Sequence, residues 1–281
     1  MHGLDLVVSA IIAVAIGVPM PHDTNVATAA PATLTNHTVT ITATDYAFTG
    51  LSAPVPAGWV TFRMVNTGHE FHMLATAVVP RGYTVSAFED SLLHAHKPPP
   101  LKEWGGPNAV APGGVTEVTL YFPPGEYMAG CFVTSSDGKT HFEKGMMGSF
   151  HVVASADSGS HPVAHSDVAL ATYGITTAGA PITRGMQTLA VHNTAKESHD
   201  LVVLRVLPGH TVEQALAWFG NPPTGKPAAA AMVGTTGLHT GETAYLTTRF
   251  DPGTYVFVCW MQTGDKYHYQ LGMKRIVTVP A

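Results

Sequence analysis

Along Val115–Phe122 and again along Thr243–Phe250, apolar side chains return at short, strand-like intervals rather than once per helical turn. Each stretch ends in a tight turn, Pro123-Pro124-Gly125 or Asp251-Pro252-Gly253, and each turn opens onto a further pair of apolar runs. Those runs are 127–133 with 148–153, and 255–261 with 275–279. Two stretches break the strand pattern, 84–93 and 211–219. Both are amphipathic and start on a threonine, so Thr84 and Thr211 are expected to cap short helices, with Glu213 in the first turn of the second. A Pro/Gly/Ala-rich loop is expected after each helix. Alternation with such frequent turns predicts an all-β chain of sandwich type.

The N-terminus has a different pattern, an apolar run over residues 6–18 followed by small residues at Ala27 and Ala29. The run is too short to span a bilayer but fits the core of a secretory signal peptide, so residues 1–29 are read as one. The residues before it carry His2 and Asp5 but no Lys or Arg. Export to a periplasmic or extracellular location is the expectation, with membrane association only through an uncleaved N-terminal segment.

Composition sharpens the picture. Glycine (28) and proline (21) are plentiful and charged residues make up 12%, which suits turn-rich β structure. The formal charge is −5 without a Lys/Arg cluster, which argues against nucleic acid as a partner. There are sixteen histidines, eleven methionines and two cysteines, all metal-ligand types.

The chain is one unit written twice. Residues 65–72, Val-Asn-Thr-Gly-His-Glu-Phe-His, recur at 192–199 as His-Asn-Thr-Ala-Lys-Glu-Ser-His. Residues 30–153 and 167–281 are therefore read as two domains, joined by a Ser/Gly/His-rich linker at 154–166. Cys131 and Cys259 occupy the same place in their repeats, which argues against a disulfide between them.

Four ligand-type residues also recur in register. His72, His141 and Met146 map onto His199, His268 and Met273 at an offset of 127, and Cys131 onto Cys259 at 128. Each Cys ends a strand, the second His follows after nine or eight residues, and the Met lies five further on, behind a glycine. Two imidazoles, a thiolate and a thioether form the donor set of an electron-transfer copper site. Met147, beside Met146, is the alternative fourth ligand in the first repeat.

The Asn-Thr…His segment, the Pro-Gly-x-Tyr strand ending in Cys and the His-x4-Met return resemble the cupredoxins, the plastocyanin and azurin family. The likeness covers residues 38–153 and 167–280, and the Cys-x8-His-x4-Met of the second repeat is similar to the type 1 copper loop of copper nitrite reductases. The resemblance implies two Greek-key β-sandwiches in tandem and copper as cofactor, one per domain and up to two. It also implies outer-sphere electron transfer through an exposed loop histidine, His141 in one domain and His268 in the other. Met73 and Asp200 depart from the family by standing directly after the first His, where a small polar residue is usual.

Other residues fit plainer roles. Glu70 and Glu197 are expected to support the ligands rather than bind metal. Asn66 and Asn193 are expected to tie the ligand loop to its neighbour. Trp104, Trp218 and Trp260 read as packing, and His94, His96, His161 and His165 as solvent-facing loop residues, while Lys196 as the counterpart of His69 argues against a required ligand there. The leading functional expectation is an electron carrier with an unidentified redox partner protein. Copper storage or delivery is the second, and a two-domain oxidoreductase of nitrite-reductase type the third. The third lacks the His neighbour of Cys that would wire in another copper, because Gly130 and Phe132 flank Cys131 while Val258 and Trp260 flank Cys259.

Overall fold

The computed structural model describes residues 37–95, 99–108, 110–220 and 225–281. The signal-peptide segment and His96 lie outside them. Among the described residues the elements are overwhelmingly β-strands, with the two short helices where the threonine caps place them, Val85–His94 and Val212–Trp218. Thr84 accepts from the Ala87 N–H, and Thr211 makes a full capping box with Gln214.

The sandwich expectation holds, and the two halves share a sheet. One eight-stranded sheet runs through both in the order Gly174–Gly179, Ser166–Ala171, Gly185–Asn193, Thr243–Phe250, Val115–Phe122, Gly58–Asn66, His37–Thr44, Ala47–Thr49. The seam is antiparallel pairing of Ala244, Tyr245 and Leu246 with Leu120, Thr119 and Val118. A separate sheet covers each half. The first orders Val55–Pro56, Met147–Val153, Gly125–Gly130, Ala75–Val78 and Lys102–Gly105; the second orders Ala229–Leu238, His199–Val206, Gly253–Val258 and Lys274–Val279.

Between the layers lies a continuous apolar core. In the first half Phe62, Phe122, Tyr127 and Phe150 meet at ring separations of 5.2–5.7 Å. Tyr127 and Tyr255, both fully buried, satisfy their hydroxyls on the carbonyls of Pro123 and Asp251. Residues 154–165 contain neither helix nor strand. They cross the seam, where the His161 ring stacks on Tyr245 at 4.2 Å and meets Trp59 at 4.6 Å.

The Ala/Gly-rich stretch after the second helix is a correction to the loop expectation, since Ala229–Leu238 is a ten-residue strand paired along His199–Val206. Alanine and glycine carry weak strand propensity, but the site has no room for larger side chains. A Cβ on Gly234 would lie 2.6 Å from the Leu201 carbonyl, and one on Gly237 2.5 Å from the Glu103 carboxyl. The same strand forms a second join between the halves. Asn108 N–H bonds the Gly234 carbonyl at 3.1 Å and Thr236 N–H bonds the Gly106 carbonyl at 2.8 Å.

Candidate metal centres

Each site sits at one rim of its sandwich, where a strand ends and the chain must turn. Cys131 and Cys259 come one residue after the strands Gly125–Gly130 and Gly253–Val258. The loops that follow are locked by repeated main-chain bonds. Cys131 N–H donates to the Met146 carbonyl and Cys259 N–H to that of Met273, both at 3.1 Å. Met146 N–H reaches the His141 carbonyl at 2.8 Å and Met273 N–H that of His268 at 2.9 Å. The glycine before each Met has φ of 94° (Gly145) or 112° (Gly272), a backbone state open to glycine and costly for other residues.

The remaining histidine arrives from across the fold. His72 is bridged to Val110, and His199 opens the strand His199–Val206. Asn66 and Asn193 fasten that approach as expected. Asn66 Nδ2 donates to the Glu70 and Val110 carbonyls, both at 2.8 Å, and Asn193 Nδ2 to those of Glu197 and Leu238 at 2.9 and 2.7 Å.

In the first half His72 Nδ1, His141 Nδ1 and Cys131 Sγ converge. Their separations of 3.1, 3.3 and 3.8 Å place the point equidistant from all three about 2.0 Å from each, close to metal–imidazole and metal–thiolate bond lengths of about 2.0–2.1 and 2.3 Å. In the second half His199 Nδ1, His268 Nδ1 and Cys259 Sγ give 3.1, 3.4 and 3.7 Å and the same distance of about 2.0 Å. Both cysteines are free thiols. Among the described residues these two trios are the groups of His, Cys, Asp and Glu able to hold a metal ion. Met146 and Met273 are fully buried in the same core as the cysteines, whereas Met147 packs with a different cluster around Phe88, Met128 and Phe142.

The chemistry of the donors also fits a metal. His72 Nε2 lies 3.2 Å from Asp45 Oδ1 and His141 Nε2 3.0 Å from Glu70 Oε2. Those carboxylates hold the ring protons on Nε2, so both Nδ1 atoms present bare lone pairs to each other. Burial would raise the acidic pKa values, but hydrogen bonds outweigh it. His69 and His72 bring Asp45 down to about 2, and His141, Tyr46 and Ser135 bring Glu70 below its usual value. Three of the ligand histidines and both cysteines shift instead toward their uncharged forms. Burial, with His141 alongside, lowers His72; burial, with His268 alongside, lowers His199 to about 4; burial also lowers His268. Burial raises Cys131 to about 12, and burial together with the Asp200 carboxylate raises Cys259. The His72, His199 and His268 imidazoles are thus kept neutral, as ligands must be, while a metal has to displace a proton from each thiol.

The two surroundings differ. Gly68 leaves the space that Asp45 uses, since a Cβ there would stand 2.3 Å from Asp45 Oδ1 and 2.6 Å from His72 Nε2. The second half has Thr172 and the buried Ala195 at the matching places. There His268 Nε2 pairs with Thr263 Oγ1 at 2.9 Å, and His199 Nε2 is 3.7 Å from Glu197 Oε1 without a hydrogen bond. The residues after the first histidines also diverge. Met73 N–H points to Cys131 Sγ at 3.4 Å. Asp200 is buried, accepts from Trp260 N–H at 2.6 Å, and meets Asn108 Nδ2 of the first half at 3.5 Å.

One expectation is overturned. The loop histidines are not exposed, because His141 is 0% and His268 2% accessible. Tyr46 stands edge-on to His141 at 5.0 Å and Tyr173 to His268 at 5.2 Å. These tyrosines, with Asp45, Thr263 and Asn108, escaped the sequence reading. Tyr46 and Tyr173 share the 127-residue offset of the ligands, a signal that could have found them.

No family model and no curated protein matches the chain. Solved structures do. A dithionite-reduced auracyanin from the photosynthetic bacterium Roseiflexus castenholzii is 24% identical over 41% of this chain and 95% of its own, with a TM-score of 0.31. Auracyanin B is 26% identical over 41% of this chain and 87% of its own, also at 0.31. A copper nitrite reductase from Nitrosomonas europaea is 14% identical over 87% of this chain and 94% of its own, at 0.25. The weight rests on the chain's own features: paired β-sandwich sheets and, in each half, a buried His–Cys–His trio spaced for type 1 copper. The fold is cupredoxin-like, and the two trios are candidate copper sites.

Proposed function

We propose that this protein is an exported electron carrier with a type 1 copper in each half. The ligands would be His72, Cys131, His141 and Met146 in one site and His199, Cys259, His268 and Met273 in the other. The single observation that supports this most is the pair of buried donor triangles, each with its centre at bonding distance from two nitrogens and a sulfur. Copper held this way supplies a one-electron couple, and the protein's part is to fix the donors before the ion arrives. Strand ends, main-chain bonds and buried asparagines hold each donor, so the geometry has little freedom to follow the oxidation state. The apolar run at residues 6–18 supports export, and a redox partner outside the cytoplasm follows from that reading.

Copper storage or delivery is the second reading, favoured by the burial of all four histidines. Loading the purified protein with copper(II) and comparing Cys131→Ser and Cys259→Ser by visible absorption and paramagnetic resonance tests both. Stepwise loss of an intense thiolate-to-copper band supports two type 1 sites. A colourless parent protein would end the electron-carrier reading, and rapid copper loss to a chelator with slow self-exchange would favour storage.

A further inference from the structure

Among the described residues, Tyr46 and Tyr173 are the two non-glycine residues with positive φ, at 100° and 53°. Each is the second residue of a two-residue hairpin loop. Thr44 pairs with Ala47 around Asp45-Tyr46, and Ala171 pairs with Gly174 around Thr172-Tyr173. In both loops the second residue alone has positive φ, a backbone state that favours glycine. A bulky ring in its place is unfavourable locally, and this chain has it twice. Strain of this kind persists where the surrounding structure fixes it and often marks a working part of the molecule.

What both rings have in common is their target. Each lies edge-on to the loop histidine of its own site, with interplanar angles of 67° and 72°. Each ring is itself only half-buried. Tyr46 is further anchored, since its hydroxyl donates to Glu70 Oε1 at 3.0 Å while Lys144 Nζ donates to that hydroxyl at 3.1 Å and sits over the ring. Tyr173 has no such anchor among the described residues, yet it takes up the same place. A role confined to the Tyr46 network would not explain the second tyrosine.

We propose that Tyr46 and Tyr173 are access-controlling residues, each closing the loop histidine of its copper site against solvent and small reagents. The inference rests on the copper reading of the two trios, and the two can fail separately. The tyrosines act through His141 and His268, so they are positioning residues. A docking partner would meet a tyrosine ring and its rim rather than an imidazole.

The test uses Tyr46→Gly and Tyr173→Gly, which suit the turn but remove the cover, and Tyr46→Phe and Tyr173→Phe, which keep it. Asparagine variants at both positions serve as a second uncovered set, since Asn also tolerates positive φ. In the copper(I) protein, hexacyanoferrate(III) takes one electron, leaving copper(II) and hexacyanoferrate(II). This oxidation should become faster by about tenfold in the Gly and Asn variants and stay unchanged in the Phe variants. In the metal-free protein, deuterium exchange at the imidazole C2 of His141 or His268 should speed up in the half that is uncovered. Unchanged or slower rates in the Gly and Asn variants would overturn the proposal. So would equal acceleration in the Phe variants. Should the parent protein lack a thiolate-to-copper band, the copper reading fails while the imidazole exchange still decides whether the tyrosines are covers.

Discussion

Asp200 offers the most quantitative test of how this interior is built. Its carboxyl is buried at the join of the two halves, next to a ligand histidine, with Trp260 N–H, Asn108 Nδ2 and the Cys259 thiol as neighbours. Burial dominates these hydrogen bonds and raises its pKa from 3.8 to about 6, with the Glu103 carboxylate pushing the same way. A folded-state pKa above the unfolded one means that the native protein binds the extra proton between those values, so stability falls as pH rises through the window. Two pKa units at 1.36 kcal/mol each make this about 3 kcal/mol, absent below pH 4 and fully present above pH 6. Asp200→Asn keeps an acceptor for Trp260 N–H and removes the charge. Relative to the parent, the metal-free variant should therefore gain about 3 kcal/mol between pH 4 and pH 7, read from urea denaturation at closely spaced pH values. The histidines titrate in both proteins and cancel in the difference. A stability difference that does not change with pH would refute the reasoning, because it would mean that the buried carboxylate carries no penalty for its charge.

His199 has the opposite sign. Its folded pKa of about 4 lies below the ordinary 6.5, so the unfolded chain binds more protons between those values. The metal-free protein should lose about 3 kcal/mol as pH falls from 6.5 to 4 on this account, and His199→Gln should flatten that slope in the same denaturation series. Asn193→Ala should destabilise by about 2–4 kcal/mol, because it strands the Glu197 and Leu238 carbonyls and the Ala195 N–H, which donates to Asn193 Oδ1 at 3.0 Å. Thermal unfolding with and without copper checks this, and the variant should also bind copper less tightly in the second half alone.

Much of the scaffold was legible because its signals are local. Alternation gave the strands Val115–Phe122 and Thr243–Phe250, and threonine caps gave both helix starts. The convergence of His72 with Cys131 and His141, and of His199 with Cys259 and His268, could be read because the same spacing appears twice. What stayed hidden depends on contacts between distant segments. Ala229–Leu238 lacks strand-forming side chains and is a strand through its neighbours' close approach. The covered histidines could not be foreseen from the loop that carries them, since the covering tyrosines come from hairpins far upstream. The shared sheet was equally out of reach, because alternation describes one strand's faces and not its edge partners.

The three-residue seam between Val118–Leu120 and Ala244–Leu246 has a bearing on divisibility. It makes each half the other's edge protection. Cleaving the chain within residues 154–165 and separating the pieces would bare a strand flank on each, rich in unpaired amide and carbonyl groups that invite intermolecular stacking. Neither fragment inherits a finished boundary, so isolated halves should self-associate or aggregate where the whole chain stays dispersed.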